Sequence, residues 1–243
     1  MAGLMAYVYD TLRKNYSVYM YFTLTFVLTR ITLPIYTENS FSSSVNMENL
    51  GTFFYHKVLP AAQIMKTSQL IHSDVIMAYN GGKDCTVLLE LIEYFNLDIP
   101  VVVFYEHDTF LSLNKFTLDR LQKSPVRRQI VSSDIKKEIN ILVQNGVKAV
   151  IMGERFLDPG KPTSFFAPSS PGWPDYTIVN PIFNWNYSDI WFFLDNINAE
   201  YCELYKQGYT SIGSEKKTRP NPRLQNKHAR ELMNPLEERL GRL

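Results

Sequence analysis

The stretch Val75-Ile76-Met77-Ala78-Tyr79-Asn80-Gly81-Gly82-Lys83-Asp84-Cys85-Thr86-Val87-Leu88-Leu89-Glu90-Leu91-Ile92 decides the fold. A run of β-formers leads into two adjacent glycines. A run with helical spacing leads out, with Val87, Leu88, Leu91, Ile92 and Phe95 on one side. The pattern predicts strand, tight turn, helix. Adjacent glycines let the backbone approach a ligand closely, and the N-terminus of the following helix favours an anion. Lys83 adds a cation, and Asp84 can cap the helix or help hold a metal ion. The loop is not a Walker A sequence, which needs four residues between its glycines and Ser or Thr after its lysine. A turn that uses glycine for geometry alone is the plainer alternative. The strand before, the helix after and the attached Lys-Asp favour phosphate binding.

Outward from this loop the same alternation recurs. Ile99 to Tyr105, Val126 to Val131 and Val147 to Met152 are apolar runs of the buried parallel-strand type. Phe110 to Gln122 and Ser133 to Asn145 are helical, the latter capped by Ser133-Asp134 and ended by Gly146. Met47 to Ser73 reads as helix with a break at Pro60. The expected class is α/β, a mainly parallel sheet with helices on both faces. In such sheets ligands sit at the carboxyl ends of strands. Three polar clusters fall there: Asn80 to Asp84, Glu106 to Asp108 and Gly153 to Asp158. From Pro159 to Pro174 the chain reads as loop, with five prolines and two glycines. Tyr176 to Phe183 is a strand, Ser188-Asp189 caps a helix over residues 190–196, and 199–207 is another helix. Residues 208–221 read as irregular, and 227–243 as a charged C-terminal helical appendage.

The chain has 243 residues and a net charge of +1, so no strong field points to nucleic acid. Its two cysteines, Cys85 and Cys202, make neither a disulfide framework nor a zinc quartet. Residues 1–45 differ from the rest. Ser17 to Leu28 is apolar but too short to span a bilayer. The expectation is a poorly ordered or targeting extension over 1–45, then one catalytic domain over 46–243. A weak membrane contact through residues 16–36 and a mitochondrial presequence are alternatives to a plainly cytoplasmic monomer.

Asn80-Gly81-Gly82-Lys83-Asp84-Cys85 resembles the modified phosphate loop of eukaryotic FAD synthases (FMN adenylyltransferases), of the sulfonucleotide (PAPS) reductase-like superfamily. Gly153 to Pro159 is similar to that family's Gly-x-Arg-x-x-Asp-Pro. Pro171-Gly172-Trp173-Pro174, the segment Asn180 to Trp191, Tyr201 to Ser214 with Asn221-Pro222, and Glu238-Arg239…Arg242 follow in the family's order. Ser170 stands where the family carries an acidic residue, and Val179 where it carries a basic one.

The resemblance implies an adenine-nucleotide α-hydrolase-like fold. It implies transfer of AMP from ATP to FMN by in-line attack of the FMN phosphate on the α-phosphorus, with FAD and pyrophosphate as products and Mg²⁺ as cofactor. It assigns Asn80, Gly81, Gly82, Lys83 and Asp84 to the ATP phosphates, with Tyr105 and Glu106 flanking adenine or ribose. It sets Asp158 at the metal, with Arg155 beside it binding ATP, and Trp173 and Ser170 at the flavin. Arg239 and Arg242, expected on one helix face, would clamp phosphate. Asn80, Asp84, Asp158, Arg239 and Arg242 are the expected catalytic set. The plainer alternatives are a strand terminus at Tyr105 and Glu106, a loop salt bridge at Asp158, a solvated helix end pairing with Glu237 and Glu238, and a structural turn over 208–214. Trp185 and Trp191 read as packing. The expected substrates are small molecules. The alternatives to this activity are another enzyme of the superfamily, such as a PAPS reductase or ATP sulfurylase, and a non-catalytic ATP-binding module. The reductase lacks support because no cysteine follows Cys202.

Overall fold

The computed structural model describes residues 47–104, 108–131, 134–160, 164–225 and 227–243. Tyr105, Glu106 and the extension over 1–45 therefore lie outside the described residues. The elements are α1 (Met47–Phe53), a π-helical turn (Phe54–Val58), α2 (Leu59–Ile71), β1 (Val75–Tyr79), α3 (Lys83–Tyr94), β2 (Val101–Phe104) and α4 (Leu111–Gln122). They continue with β3 (Arg128–Val131), α5 (Ile135–Gln144), β4 (Ala149–Ile151), β5 (Phe166–Pro168), β6 (Thr177–Val179) and α6 (Tyr187–Asn196). Among the described residues none of the helices is long and apolar enough to cross a membrane.

The strands form one sheet in the order β3-β2-β1-β4-β6-β5, parallel except for the β5–β6 pair. Alternation along β1 sorts its side chains between two cores. Val75, Met77 and Tyr79 join Val87, Leu88, Leu91 and Ile190 on one face, while Ile76 joins Ile139, Leu142 and Val150 on the other. Helices cover both faces, as the continuous apolar strands require. The burial of α3 is wider than one stripe: Thr86 and Leu89 are as inaccessible as Leu88, because α6 packs over the helix from outside. The break at Pro60 is realised as the π-helical turn that hands α1 to α2, with Pro60 in the first turn of α2, where its missing N–H costs nothing.

Four expectations need correction. The segment 159–174 is not all loop. Phe166–Pro168 pairs antiparallel with β6 at the sheet edge, the one place where a strand proline is tolerated. The cap of α6 is Asn186 rather than Ser188. The Asn186 side chain accepts from Asp189 N–H at 2.9 Å and Asp189 returns the bond to Asn186 N–H at 2.8 Å, so the helix starts at Tyr187.

Lastly, 227–243 is no charged helix. Only the 3₁₀ turns Ala229–Glu231 and Pro235–Glu237 form, and residues 199–207 give only the 3₁₀ turn Glu203–Gln207. The tail's backbone bonds go elsewhere: Arg219 N–H donates to Gly241 O and Leu243 N–H to Lys217 O. A side chain at Gly241 would meet Arg219 O at 2.2 Å, so these two strands of chain are pressed together.

The first of those turns carries a pH dependence. His228 Nδ1 accepts the Arg230 N–H at 3.0 Å, and the ring packs edge-on against Trp191 and Tyr201. Burial, then the Arg230 charge, pushes its pKa from 6.5 down to about 4. A folded-state pKa below the unfolded one means that the unfolded chain binds the extra proton between those values. Stability is therefore complete above pH 6.5 and falls as pH drops toward 4. The melting temperature of the wild type should decline through this window, and His228→Gln should flatten the decline. An equal slope in both proteins would show that His228 is not its source.

Two glycines in the left-handed region separate backbone strain from crowding. Gly81 has φ +74° and Gly160 φ +73°. A Cβ on Gly81 would meet Thr117 Oγ1 at 2.1 Å, whereas among the described residues nothing lies within 4 Å at Gly160. Gly160→Ala should cost about 1–2 kcal/mol for conformation alone. Gly81→Ala should cost clearly more, measured by chemical denaturation.

Candidate active site

The order of the strands reverses between β1 and β4, so their carboxyl ends frame the crevice of the sheet. The loop 80–82 leaves β1 there, and residues 153–158 leave β4. Asn80 Oδ1 accepts the Gly82 N–H at 3.0 Å and closes the turn. Gly82 is the N-cap of α3, with Thr86 Oγ1 donating back to its carbonyl at 3.0 Å. Gly153 lets β4 approach the start of α3, since a Cβ there would meet Asp84 and Cys85 backbone atoms at 3.1 Å. Asp84 does not cap the helix, because its carboxylate is engaged by two cations.

Those cations form the centre of the site. Lys83 Nζ lies 2.8 Å from Asp84 Oδ2 and 2.6 Å from Glu238 Oε1. Arg155 holds both Glu238 oxygens, at 2.8 and 2.7 Å, and lies 2.9 Å from Asp84 Oδ1 and 3.4 Å from Asp158 Oδ1. The Asp84–Arg155 contact is an ion pair without hydrogen-bond alignment. Lys83 and Arg155 are each only 2% exposed. Burial would raise Asp84, but the charges of Arg155 and Lys83 outweigh it and hold its carboxyl below the usual range. Asp158 goes the other way. Burial raises it, and Arg155 offsets that only in part.

Two expectations change here. Lys83 was expected to meet the nucleotide phosphates, yet its ammonium points inward to Asp84, Glu238 and the Tyr187 ring face at 5.3 Å. Its N–H is also taken, donating to Tyr205 Oη at 2.8 Å. Asp158 was expected at a metal. Instead it accepts the Arg155 N–H at 2.8 Å, and the guanidinium fills the space among the carboxylates. Among the described residues no group of three or more His, Cys, Asp or Glu side chains is placed to hold a metal ion.

Arg239 and Arg242 do meet, though not on a helix. Their guanidinium groups approach Ser211 Oγ at 3.5 and 3.3 Å. A side chain at Gly213 would occupy the position of the Arg242 guanidinium, so the glycine makes room for it. The segment 208–214 is held beneath them, with Thr109 Oγ1 donating to Gly213 O at 3.3 Å.

Trp173 follows a turn in which Gly172 has φ +83° and Trp173 N–H donates to Ser170 O at 3.0 Å, the position where Pro-Gly is suited. Ser170 is exposed at the turn's start. Trp173 is 38% exposed and lines a cavity of about 260 Å³ with Asn80, Phe104, Met152, Gly153 and Glu154. Trp185 and Trp191 are core residues, as expected. Cys85 also borders this cavity. Burial, then the Asp84 charge, pushes its thiol up to about 12, so it is no nucleophile.

Glu238 was missed by the sequence reading as a functional residue and figured there only as a partner for the arginines. The available signal was an acidic residue beside Arg239, ambiguous next to Glu237. Because Arg155 ties three carboxylates while inaccessible, Arg155→Met should cost about 3–5 kcal/mol, the penalty for uncompensated buried charge. Thermal unfolding and the yield of soluble protein would measure it.

The chain is similar to several known proteins. Residues 134–220 match the phosphoadenosine phosphosulfate reductase domain family. A "Probable FAD synthase" of Schizosaccharomyces pombe is 33% identical over 165 residues, 62% of this chain and 62% of that protein. The flavin adenine dinucleotide synthase of Saccharomyces cerevisiae is 28% identical over 185 residues, 63% of this chain and 60% of that protein. The chain thus spans about three fifths of these two relatives. The crystal structure of Candida glabrata FMN adenylyltransferase shares the fold, with TM-score 0.69 at 22% identity over 89% of this chain and 96% of that one. Its complex with FMN and the ATP analog AMPCPP matches with TM-score 0.63 at 26% identity over 82% of this chain and 73% of that one. The chain resembles the eukaryotic FAD synthases and has the fold of the PAPS reductase-like superfamily.

Proposed function

We propose that the chain is an FMN adenylyltransferase, a nucleotidyltransferase that joins ATP and FMN into FAD and pyrophosphate. One observation carries the reading. Three segments far apart in sequence, each similar to a segment of the FAD synthases, meet at one ion network through Lys83-Asp84, Arg155-Asp158 and Glu238.

A phosphate oxygen of FMN forms the new bond to the α-phosphorus, the bond to the β-phosphate oxygen breaks, and pyrophosphate leaves with the electron pair. FMN brings its own nucleophile, so no side chain need be activated. What remains for the protein is positioning and charge neutralisation. The loop 80–82 and the start of α3 take the leaving pyrophosphate. Arg239 and Arg242, facing Ser211, clamp the phosphates that react. Trp173 offers a ring face beside the loop, on which the flavin stacks next to the reacting groups. Mg²⁺ bound with ATP would neutralise charge on the phosphates, with Asp158 the carboxylate expected nearest to it. Asp158 also orients Arg155.

Incubation with FMN, ATP and Mg²⁺ should quench flavin fluorescence as adenine stacks on the ring, with FAD and pyrophosphate formed in equal amounts. Folded protein that leaves FMN unchanged sinks the reading and favours a non-catalytic nucleotide-binding module. Arg242→Ala should lower kcat about 100-fold, the scale of removing one transition-state donor. Trp173→Ala should instead raise KM for FMN, by about tenfold for one lost stacking partner.

A further inference from the structure

We propose that Glu238 is a positioning residue that anchors the C-terminal segment to the phosphate loop and so sets where Arg239 and Arg242 stand. The proposal deepens the adenylyltransferase reading and rests on it for its kinetic consequence, but not for its structural one.

The segment 235–243 has little structure of its own. A 3₁₀ turn of three residues, Pro235–Glu237, is its one helical element. Its place is fixed from outside, at two ends. At the far end, Arg219 N–H donates to Gly241 O at 2.8 Å and Leu243 N–H to Lys217 O at 2.9 Å. At the near end stands Glu238, 8% exposed, with Oε1 shared by Lys83 Nζ and Arg155 and Oε2 held by Arg155. Its backbone is fixed too. Thr210 Oγ1 donates to Glu238 O at 2.5 Å, and Asn221 Nδ2 donates to Glu237 O at 2.8 Å.

Arg239 lies between the two anchors, and Arg242 lies within the far one. Their guanidinium groups reach a common oxygen, Ser211 Oγ, one residue after the Thr210 that holds Glu238. A carboxylate that takes two inaccessible cations at once cannot be replaced by its amide. Glu238→Gln keeps the shape, but the amide nitrogen cannot accept, so Lys83 or Arg155 loses a bond to this segment and keeps only its partners on the loops, Asp84 and Asp158.

The test compares Glu238→Gln with wild type by hydrogen exchange and kinetics. In peptides covering 235–243 and 217–219, exchange should quicken by about tenfold or more as the segment opens locally. The β1 and β4 peptides should stay as slow as in wild type. Unchanged exchange in 235–243 overturns the proposal, whatever the activity. In the kinetic arm, kcat should fall about tenfold or more while KM for ATP moves less than about threefold, since misplaced arginines impair the reacting geometry and leave the loop intact.

A double-mutant cycle with Arg242→Ala supplies the readout that general destabilisation would not move. The loss from Glu238→Gln should shrink in the Arg242→Ala background to the part that acts through Arg239, because both changes act at one place. An equal fold-loss in both backgrounds overturns the proposal. If Glu238→Gln does not fold, Thr210→Val, which removes the bond to Glu238 O and the one accepted from Asn221 Nδ2 at 3.0 Å, should loosen the same peptides, and its failure to do so counts equally against it. A wild type that makes no FAD refutes the proposed function, while the exchange result still decides the role of Glu238.

Discussion

Everything at the crevice depends on the sharing of Glu238 and Asp84 between Lys83 and Arg155. Burying two cations and three carboxylates is a poor way to gain stability, since the desolvation cost consumes most of the attraction. Such a cluster does specify geometry. Each charge requires its partners, and this arrangement supplies them from three chain segments. The network carries one more carboxylate than cations, and the protonation tendencies divide accordingly. Asp84, with two cations against it, is held ionised. Asp158, with one cation at 3.4 Å and other carboxylates nearby, is pushed toward its neutral form.

The strand, loop and helix around Gly81-Gly82 were legible because each level agreed: β-formers, a glycine that needs φ +74°, then helical spacing. So were the parallel strands, whose continuous apolar runs admit few other fates, and the convergence of residues 80–84 with 153–158, which follows from topology alone. The edge strand Phe166–Pro168 was not legible. Three residues with a proline carry no periodicity, and their pairing with β6 is a tertiary event. The C-terminal helix failed for a related reason. Charged residues at mixed spacing fit a solvated helix, but Pro235 and Gly241 break it, and bonds to residues 217–219 outcompete helical ones.

The residue types at the site were easier to find than their partners. Lysine after two glycines suggests a ligand cation, and sequence cannot say which way a long flexible side chain turns. Here the nearest anions are internal, and Lys83 Nζ follows them at 2.6 and 2.8 Å. The arginine pair shows the converse. The reason given for it, a shared helix face, does not hold, yet the two guanidinium groups still meet at Ser211. Spacing at i, i+3 also brings side chains together across a tight turn, so the outcome survived the loss of the helix.

Lys83 and Glu238 lie 155 positions apart, and the bond between them closes almost the whole described chain into one loop. Contacts of that separation form late, because the chain entropy they cost is recovered only when the intervening structure exists. The sheet and its helices can be complete while the last nine residues are still undocked. In that state Lys83 and Arg155 share only Asp84 and Asp158, and the arginines have no fixed place. Competence at this site is therefore a property of the C-terminal segment's docking equilibrium as much as of the global fold. A segment with few internal hydrogen bonds belongs to the low-stability end of a protein's range of local openings. A buried charge pair at one end and backbone bonds at the other are what lift it out of that range.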